Sequence, residues 1–226
     1  MSGLMSNEVV RHAVRTALIM IAFAFVGTSL LVYMYDLTKA PIAESEAKAR
    51  MALFRQIVPD NMHDNSLLED VIEVQPDPLL GNRTVSQVYR ARLGGEPAAV
   101  ILEAIAPDGY SGDIKLLVAI KVDGTISGVR VLAHKETPGL GDYIDIDRSS
   151  WIRQFDGQSL SSRATELWKV KKDGGEFDYV VGATITPRAV INAVRKSLEY
   201  FELHRDSLFA DGITNDVPHA AAGVYP

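Results

Sequence analysis

The sequence predicts an α+β protein, with a single N-terminal transmembrane helix followed by a domain built on an antiparallel sheet with flanking helices. Three observations predict it. Residues 16–35 read TALIMIAFAFVGTSLLVYMY without one charge. Between residues 88 and 133 the chain breaks into short runs rich in Val, Ile and Leu, separated by turn signals. After them, residues 187–203 place Val190, Ile191, Val194, Leu198 and Phe201 on one helical face. Strands followed by a helix, without regular βαβ alternation, indicate an α+β domain.

The chain has 226 residues, enough for one or two domains. Twenty helical residues span about 30 Å, the thickness of a hydrocarbon core. Arg11 and Arg15 flank the run on its N-terminal side and Asp36 on the other. The positive-inside rule therefore puts residues 1–15 in the cytoplasm and everything after Asp36 outside it. Tyr33 and Tyr35 fall at the outer interface, where amphipathic rings are favoured. A secretory signal would have a shorter apolar region and small residues at its cleavage site, and here bulky VYMYDLTK follows. This is a membrane anchor.

Residues 40–57 are rich in helix formers, with Pro41 near the start, and are expected to form a helical stalk. Residues 58–84 carry many Pro, Asp and Asn and are expected to be irregular, with at most short elements. Strands are expected at 88–93, 98–106, 115–122 and 125–133. Gly94-Gly95, Pro107-Asp108-Gly109 and Asp123-Gly124 separate them, and the last pair is a strong hairpin signal. A strand at 177–181 closes the series, then comes the helix at 187–203. Residues 58–203 make up the expected domain, and 204–226 a tail that is loose from 211 onward.

Composition removes several functions. There are 23 Lys and Arg against 29 Asp and Glu, a formal net charge of −6, so nucleic acid is not an expected partner. There is no cysteine, which excludes disulfides, thiolate zinc sites, cysteine-ligated clusters and c-type haem attachment. Redox chemistry would need an organic cofactor or a His/carboxylate metal site. No G-x-S-x-G elbow, P-loop or G-x-G-x-x-G fingerprint appears.

Four stretches could carry chemistry. Residues 178–188, DYVVGATITPR, read as a strand end turning through Gly182 into a helix, with Thr186 placed as N-cap and Pro187 first in the helix. Unpaired N–H groups at such an end, with Arg188 beside them, favour an anion near Thr184. On residue patterning alone, a well-capped helix is the leading reading. Residues 134–142, HKETPGLGD, form a tight loop whose backbone can approach a flat ligand. His134, Glu136 and Asp142 match no helical zinc spacing, and no metal is expected. Residues 106–112, APDGYSG, read as a turn bearing an aromatic, Tyr110. Residues 168–175, WKVKKDGG, read as a basic loop whose lysines could steer an anion.

In this order the four stretches resemble the FMN-binding domain of the G subunit of Rnf-type (Rsx) ion-translocating electron-transport complexes. The related C subunit of the sodium-pumping NADH:quinone reductase shares that domain. The resemblance spans roughly residues 40–201, and the preceding anchor agrees with it. It implies FMN attached covalently through its phosphate to a threonine by a separate flavin transferase after export. The attachment pattern falls on Asp178, Gly182, Ala183 and Thr184, with Thr184 as acceptor. Val181 departs from it, standing where the pattern has Ser or Thr. Glu136, Thr137, Gly139 and Leu140 are the implied contacts to the isoalloxazine, with Tyr110 and Trp151 as further candidates.

The resemblance further implies a bacterial inner-membrane protein, its main domain periplasmic, that works with the other membrane and peripheral subunits of an Rnf-type complex. Such a complex exchanges electrons between ferredoxin and NAD, or reduces a redox regulator, while moving Na⁺ or H⁺. The isolated subunit is expected to carry electrons and turn over no substrate. Two alternatives stand beside it: the C subunit of the sodium-pumping reductase, and a non-redox exported binding or scaffold module in which Thr184 merely belongs to a capped helix.

Overall fold

The computed structural model describes residues 2–210, with side chains described from residue 8. The expected loose tail at 211–226 lies outside the described residues. Two compact units are present, Met1–Arg50 and Met51–Pro226.

The described residues of the first unit, 2–50, all lie within helix α1 (Ser2–Ile57). Phe23, Phe25, Val26 and Leu31 are among the large apolar side chains it exposes. A charge-free run with no protein partner on any side is what a lipid-facing helix presents. Among the described residues one helix is long and apolar enough to cross a membrane, and it is this one. Pro41 lies inside α1 and does not start a separate helix. Its missing N–H leaves the Leu37 carbonyl without the usual partner.

In the second unit, five strands form one antiparallel sheet in the order of the chain: β1 (Val71–Val74), β2 (Ser86–Leu93), β3 (Glu96–Gly109), β4 (Gly112–Lys121) and β5 (Ile126–Ala133). The Asp123-Gly124 turn joins β4 to β5, with Gly124 at φ +85 and Asp123 Oδ1 accepting from Thr125 N at 2.9 Å. β1, four residues long, is a short element within the otherwise irregular 58–84. The turn after β3 also moves: Pro107, Asp108 and Gly109 stay in the strand, across a register shift. A proline is tolerated at such an irregularity because no ladder bond is asked of it. Gly109 pairs with Gly112, so Tyr110 and Ser111 form the hairpin tip.

Alternation along the strands gives the sheet two buried faces. On one face Val88, Val100, Leu102, Leu116, Val118 and Val129 pack against helix α2 (Ile185–Phe209) and a cluster holding Ile144, Trp151, Phe155, Trp168 and Phe177. On the other, Tyr89, Ala91, Ala99, Ile101, Leu117 and Ala119 are covered by Phe54, Ile57, Val58 and Leu67. The end of α1, residues 51–57, thus belongs to the folded unit and to its core. The buried Arg130 of β5 donates through Nε to Gln56 Oε1 at 2.8 Å and through Nη2 to the Gln56 carbonyl at 3.3 Å, holding the C-terminal end of α1.

Two expectations are corrected. Residues 177–181 form no strand; one isolated parallel bridge, Val170 to Phe177, is all the pairing there. Phe177 is apolar because it packs between Phe155 and Trp168, with ring centroids at 4.8 and 5.4 Å. The second correction concerns α2. It begins at Ile185, two residues before Pro187, so Thr186 lies in its first turn and is not its cap. The helix also runs on to Phe209, where Arg90 Nη1 donates to the Ala210 carbonyl at 3.0 Å.

Candidate functional site

Three stretches meet at the N-terminal end of α2 around a cleft of about 300 Å³. The hairpin tip supplies Tyr110, the loop after β5 supplies Glu136, Thr137, Leu140 and Gly141, and the entry to α2 supplies residues 182–186. The sheet determines this meeting. The β3–β4 hairpin and the chain leaving β5 end on the same side, and α2 packs its own N-terminus between them.

Glu136 ties the three together. It is only 4% exposed, yet it lines the cleft. Its Oε1 accepts from Ser111 N at 2.9 Å, at the hairpin tip. Its Oε2 accepts from Thr186 Oγ1 at 2.5 Å, in the first turn of α2. Its own N–H donates to His134 Nδ1 at 3.1 Å. Backbone comes close on both sides: a Cβ at Gly109 would lie 3.0 Å from Glu136 Oε1, and one at Gly141 would lie 2.8 Å from Oε2. That approach calls for glycine at Gly141, while at Gly109 a Cβ would also meet the Gly112 carbonyl oxygen at 2.2 Å.

The three threonines of the cleft differ. Thr186 is buried and its hydroxyl is committed to Glu136. Thr137 is exposed on the loop. Thr184 is half-buried at the N-cap position of α2, and its side chain makes no capping hydrogen bond. Among the described residues its hydroxyl has no hydrogen-bond partner. It sits beside the first N–H groups of α2, which have no intrahelical acceptor. A phosphoryl oxygen there would meet both those donors and the positive end of the helix.

The segment leading to Thr184 is held from below by polar tips of buried rings. Trp151 Nε1 donates to the Asp178 carbonyl at 2.6 Å, and Tyr143 Oη donates to the Ala183 carbonyl at 3.2 Å. Gln154 Oε1 accepts from Asp178 N at 2.8 Å. Burial pushes the Tyr143 phenol up to about 12, so it stays a donor. Gly182, at φ +93, makes the turn.

The structure therefore brings Thr184, Gly182, Ala183, Glu136, Thr137, Leu140 and Tyr110 to one cleft and leaves four sequence-predicted residues off its wall. Trp151 lies beneath the segment, 7% exposed. Gly139 turns the loop at φ +77, its N–H on Asp142 Oδ1 at 2.8 Å. Asp178 pairs at the surface with Lys171 at 2.5 Å. Arg188 points into a neighbouring groove, where its Nε and Nη2 grip Asp173 at 2.6 and 2.8 Å. That pairing holds the Asp173 carboxyl below its usual range. Val181 is 84% exposed and belongs to no packed cluster. Sequence reasoning missed the parts of Gly141 and Ile185 in the wall and the supports Tyr143 and Gln154. The second glycine of PGLG was the available sign for Gly141; nothing local marked the others.

Comparison with known proteins bears on the same segments. The FMN-binding domain family matches residues 109–199, which include every stretch that lines the cleft. The RnfG N-terminal region matches residues 1–57, the whole of α1. The G subunit of an ion-translocating oxidoreductase complex from Pseudomonas aeruginosa is 46% identical over 213 residues, covering 94% of this chain and 96% of that protein. Proteins of the same name from Vibrio cholerae and Shewanella loihica are 46% and 45% identical, covering 86% and 88% of this chain and 92% and 93% of their own lengths. With both its anchor and its cleft domain matched, the chain belongs to the family of G subunits of Rnf-type ion-translocating oxidoreductase complexes.

Proposed function

We propose that this protein is a membrane-anchored flavoprotein subunit of an ion-translocating oxidoreductase, carrying electrons on FMN joined by a phosphoester to Thr184. One observation carries the attachment site. Of the cleft's three threonines, Thr184 alone is half-buried with an unengaged hydroxyl at the N-terminus of a long helix. The group fits the residues present. Helix N–H groups favour the phosphate, Gly182 and Ala183 leave the backbone approachable, and Tyr110, Leu140 and Ile185 offer apolar surface to a flat ring.

When bound, FMN supplies one- and two-electron transfer. The chain supplies position. Thr184 would hold the group through its hydroxyl oxygen, and the Tyr143 and Trp151 hydrogen bonds keep residues 178–183 in place beneath it. Exposure of Val181 means that a valine there costs the fold nothing, so any reader of position 181 is an external one, such as the flavin transferase. The positive flank at Arg11 and Arg15 orients the anchor with the cleft domain on the periplasmic side of a bacterial inner membrane. Electrons arrive from and leave to other subunits of the complex, and the isolated subunit turns over no substrate.

The test is intact mass with in-gel flavin fluorescence after denaturation, on full-length protein produced with an exported flavin transferase. Wild type should fluoresce and be heavier by one FMN less water. Thr184→Ala should be dark and of unmodified mass, while Thr137→Ala remains fluorescent. A Thr184→Ala band that kept its flavin would overturn the assignment.

A further inference from the structure

Glu136 is more than a tie between loops. Its carboxylate is nearly withdrawn from water, its backbone and both its oxygens are fixed by hydrogen bonds, and it lines the cleft. Among the described residues no Lys, Arg or His forms an ion pair with it. Its two donors, Ser111 N–H and the Thr186 hydroxyl, are neutral dipoles, the pattern of an acid that accepts at both oxygens. The usual fate of a buried carboxylate is pairing with a cation. This one faces the cavity instead.

We propose that Glu136 is a potential-setting residue: its fixed negative charge in the cleft wall holds the flavin at a lower reduction potential than the same cleft would give without it. This rests on the flavin reading above. Reduction of the ring system by two electrons with uptake of one proton adds one negative charge to it. A carboxylate that can neither move away nor be screened by bulk water opposes that charge. Thr186 modulates the effect, because its hydroxyl dipole offsets part of the carboxylate's field.

The two residues therefore move the potential in opposite directions, which a packing role would not do. The experiment is an optical redox titration of full-length flavinylated protein in detergent, at mildly alkaline pH, for wild type, Glu136→Gln and Thr186→Ala. Glu136→Gln keeps the side-chain shape and an acceptor for Ser111 N; its midpoint should shift to more positive potential. Thr186→Ala removes the donor from the carboxylate; its midpoint should shift to more negative potential. A Glu136→Gln midpoint equal to wild type, at equal flavin content, would overturn the proposal and leave the carrier reading intact. Should Glu136→Gln fail to fold or load flavin, Thr186→Ala decides alone: a downward shift supports the charge, and no shift or an upward one refutes it. A wild type that carries no flavin sinks the carrier reading, and this one with it.

Discussion

Two threonines two positions apart have opposite fates, and only one of them was legible. Thr184 stood out because Gly182 and Ala183 precede it in a recognisable pattern. Thr186 looked like a helix cap, since a hydroxyl residue followed by Pro is the ordinary signature of one. The structure spends its hydroxyl on Glu136, fifty positions earlier in the chain, and no local pattern encodes so distant a partner. Arg188 is the converse case. Charge beside a helix N-terminus reads as anion binding, yet Asp173 has taken two of its guanidinium donors, through Nε and Nη2. Arg188→Ala is therefore expected to leave flavin attached to Thr184, with in-gel fluorescence close to wild type. The pair is partly exposed, so its loss should also change stability little. A dark Arg188→Ala band would show that the guanidinium leaves Asp173 for the phosphate.

Among the elements, those with strong local signals were readable. Asp123-Gly124 encodes its hairpin because a left-handed glycine suits the turn. β1 was not readable: four residues with Glu73 exposed among them give too short an alternation. The segment at 177–181 misled for a physical reason, since two aromatics and two valines have strand composition whether they pair, plug a core as Phe177 does, or lie exposed as Val180 and Val181 do. The docking of α1 was also hidden. A Cβ at Gly128 would lie 2.9 Å from Ile57 Cγ2 and 3.1 Å from Ile57 Cα, so β5 has a glycine where the last turn of α1 rests on it. Gly128→Ala should destabilise the folded unit by roughly 1–3 kcal/mol, the usual cost of overpacking a fitted contact. Denaturant unfolding followed by tryptophan fluorescence measures it, since Trp151 and Trp168 both lie in the core. An unchanged midpoint would mean that α1 does not need that contact.

For the molecule as a whole, two buried phenols are expected to make stability fall at alkaline pH. Burial pushes Tyr143 and Tyr200 each up to about 12 from the ordinary value of 10.0, with Asp77 adding to the rise at Tyr200. Below the ordinary value both are protonated in folded and unfolded chains alike, and their contribution is complete. Above it the unfolded chain ionises first, so stability falls as pH rises toward 12. Unfolding midpoints measured across this range should drop for wild type and drop less for Tyr143→Phe, a variant that also loses the bond to the Ala183 carbonyl. A slope unchanged by Tyr143→Phe would place the ionisation elsewhere. The strand order has a consequence in time. Every strand pairs only with its neighbours in sequence, so the sheet can zip up behind a chain that emerges amino end first. α2 comes last and closes one face of that sheet, and with it the wall around Thr184. Until α2 has arrived there is a sheet but no cleft, so Thr184, the proposed acceptor, takes its place in the wall only at the final step of folding.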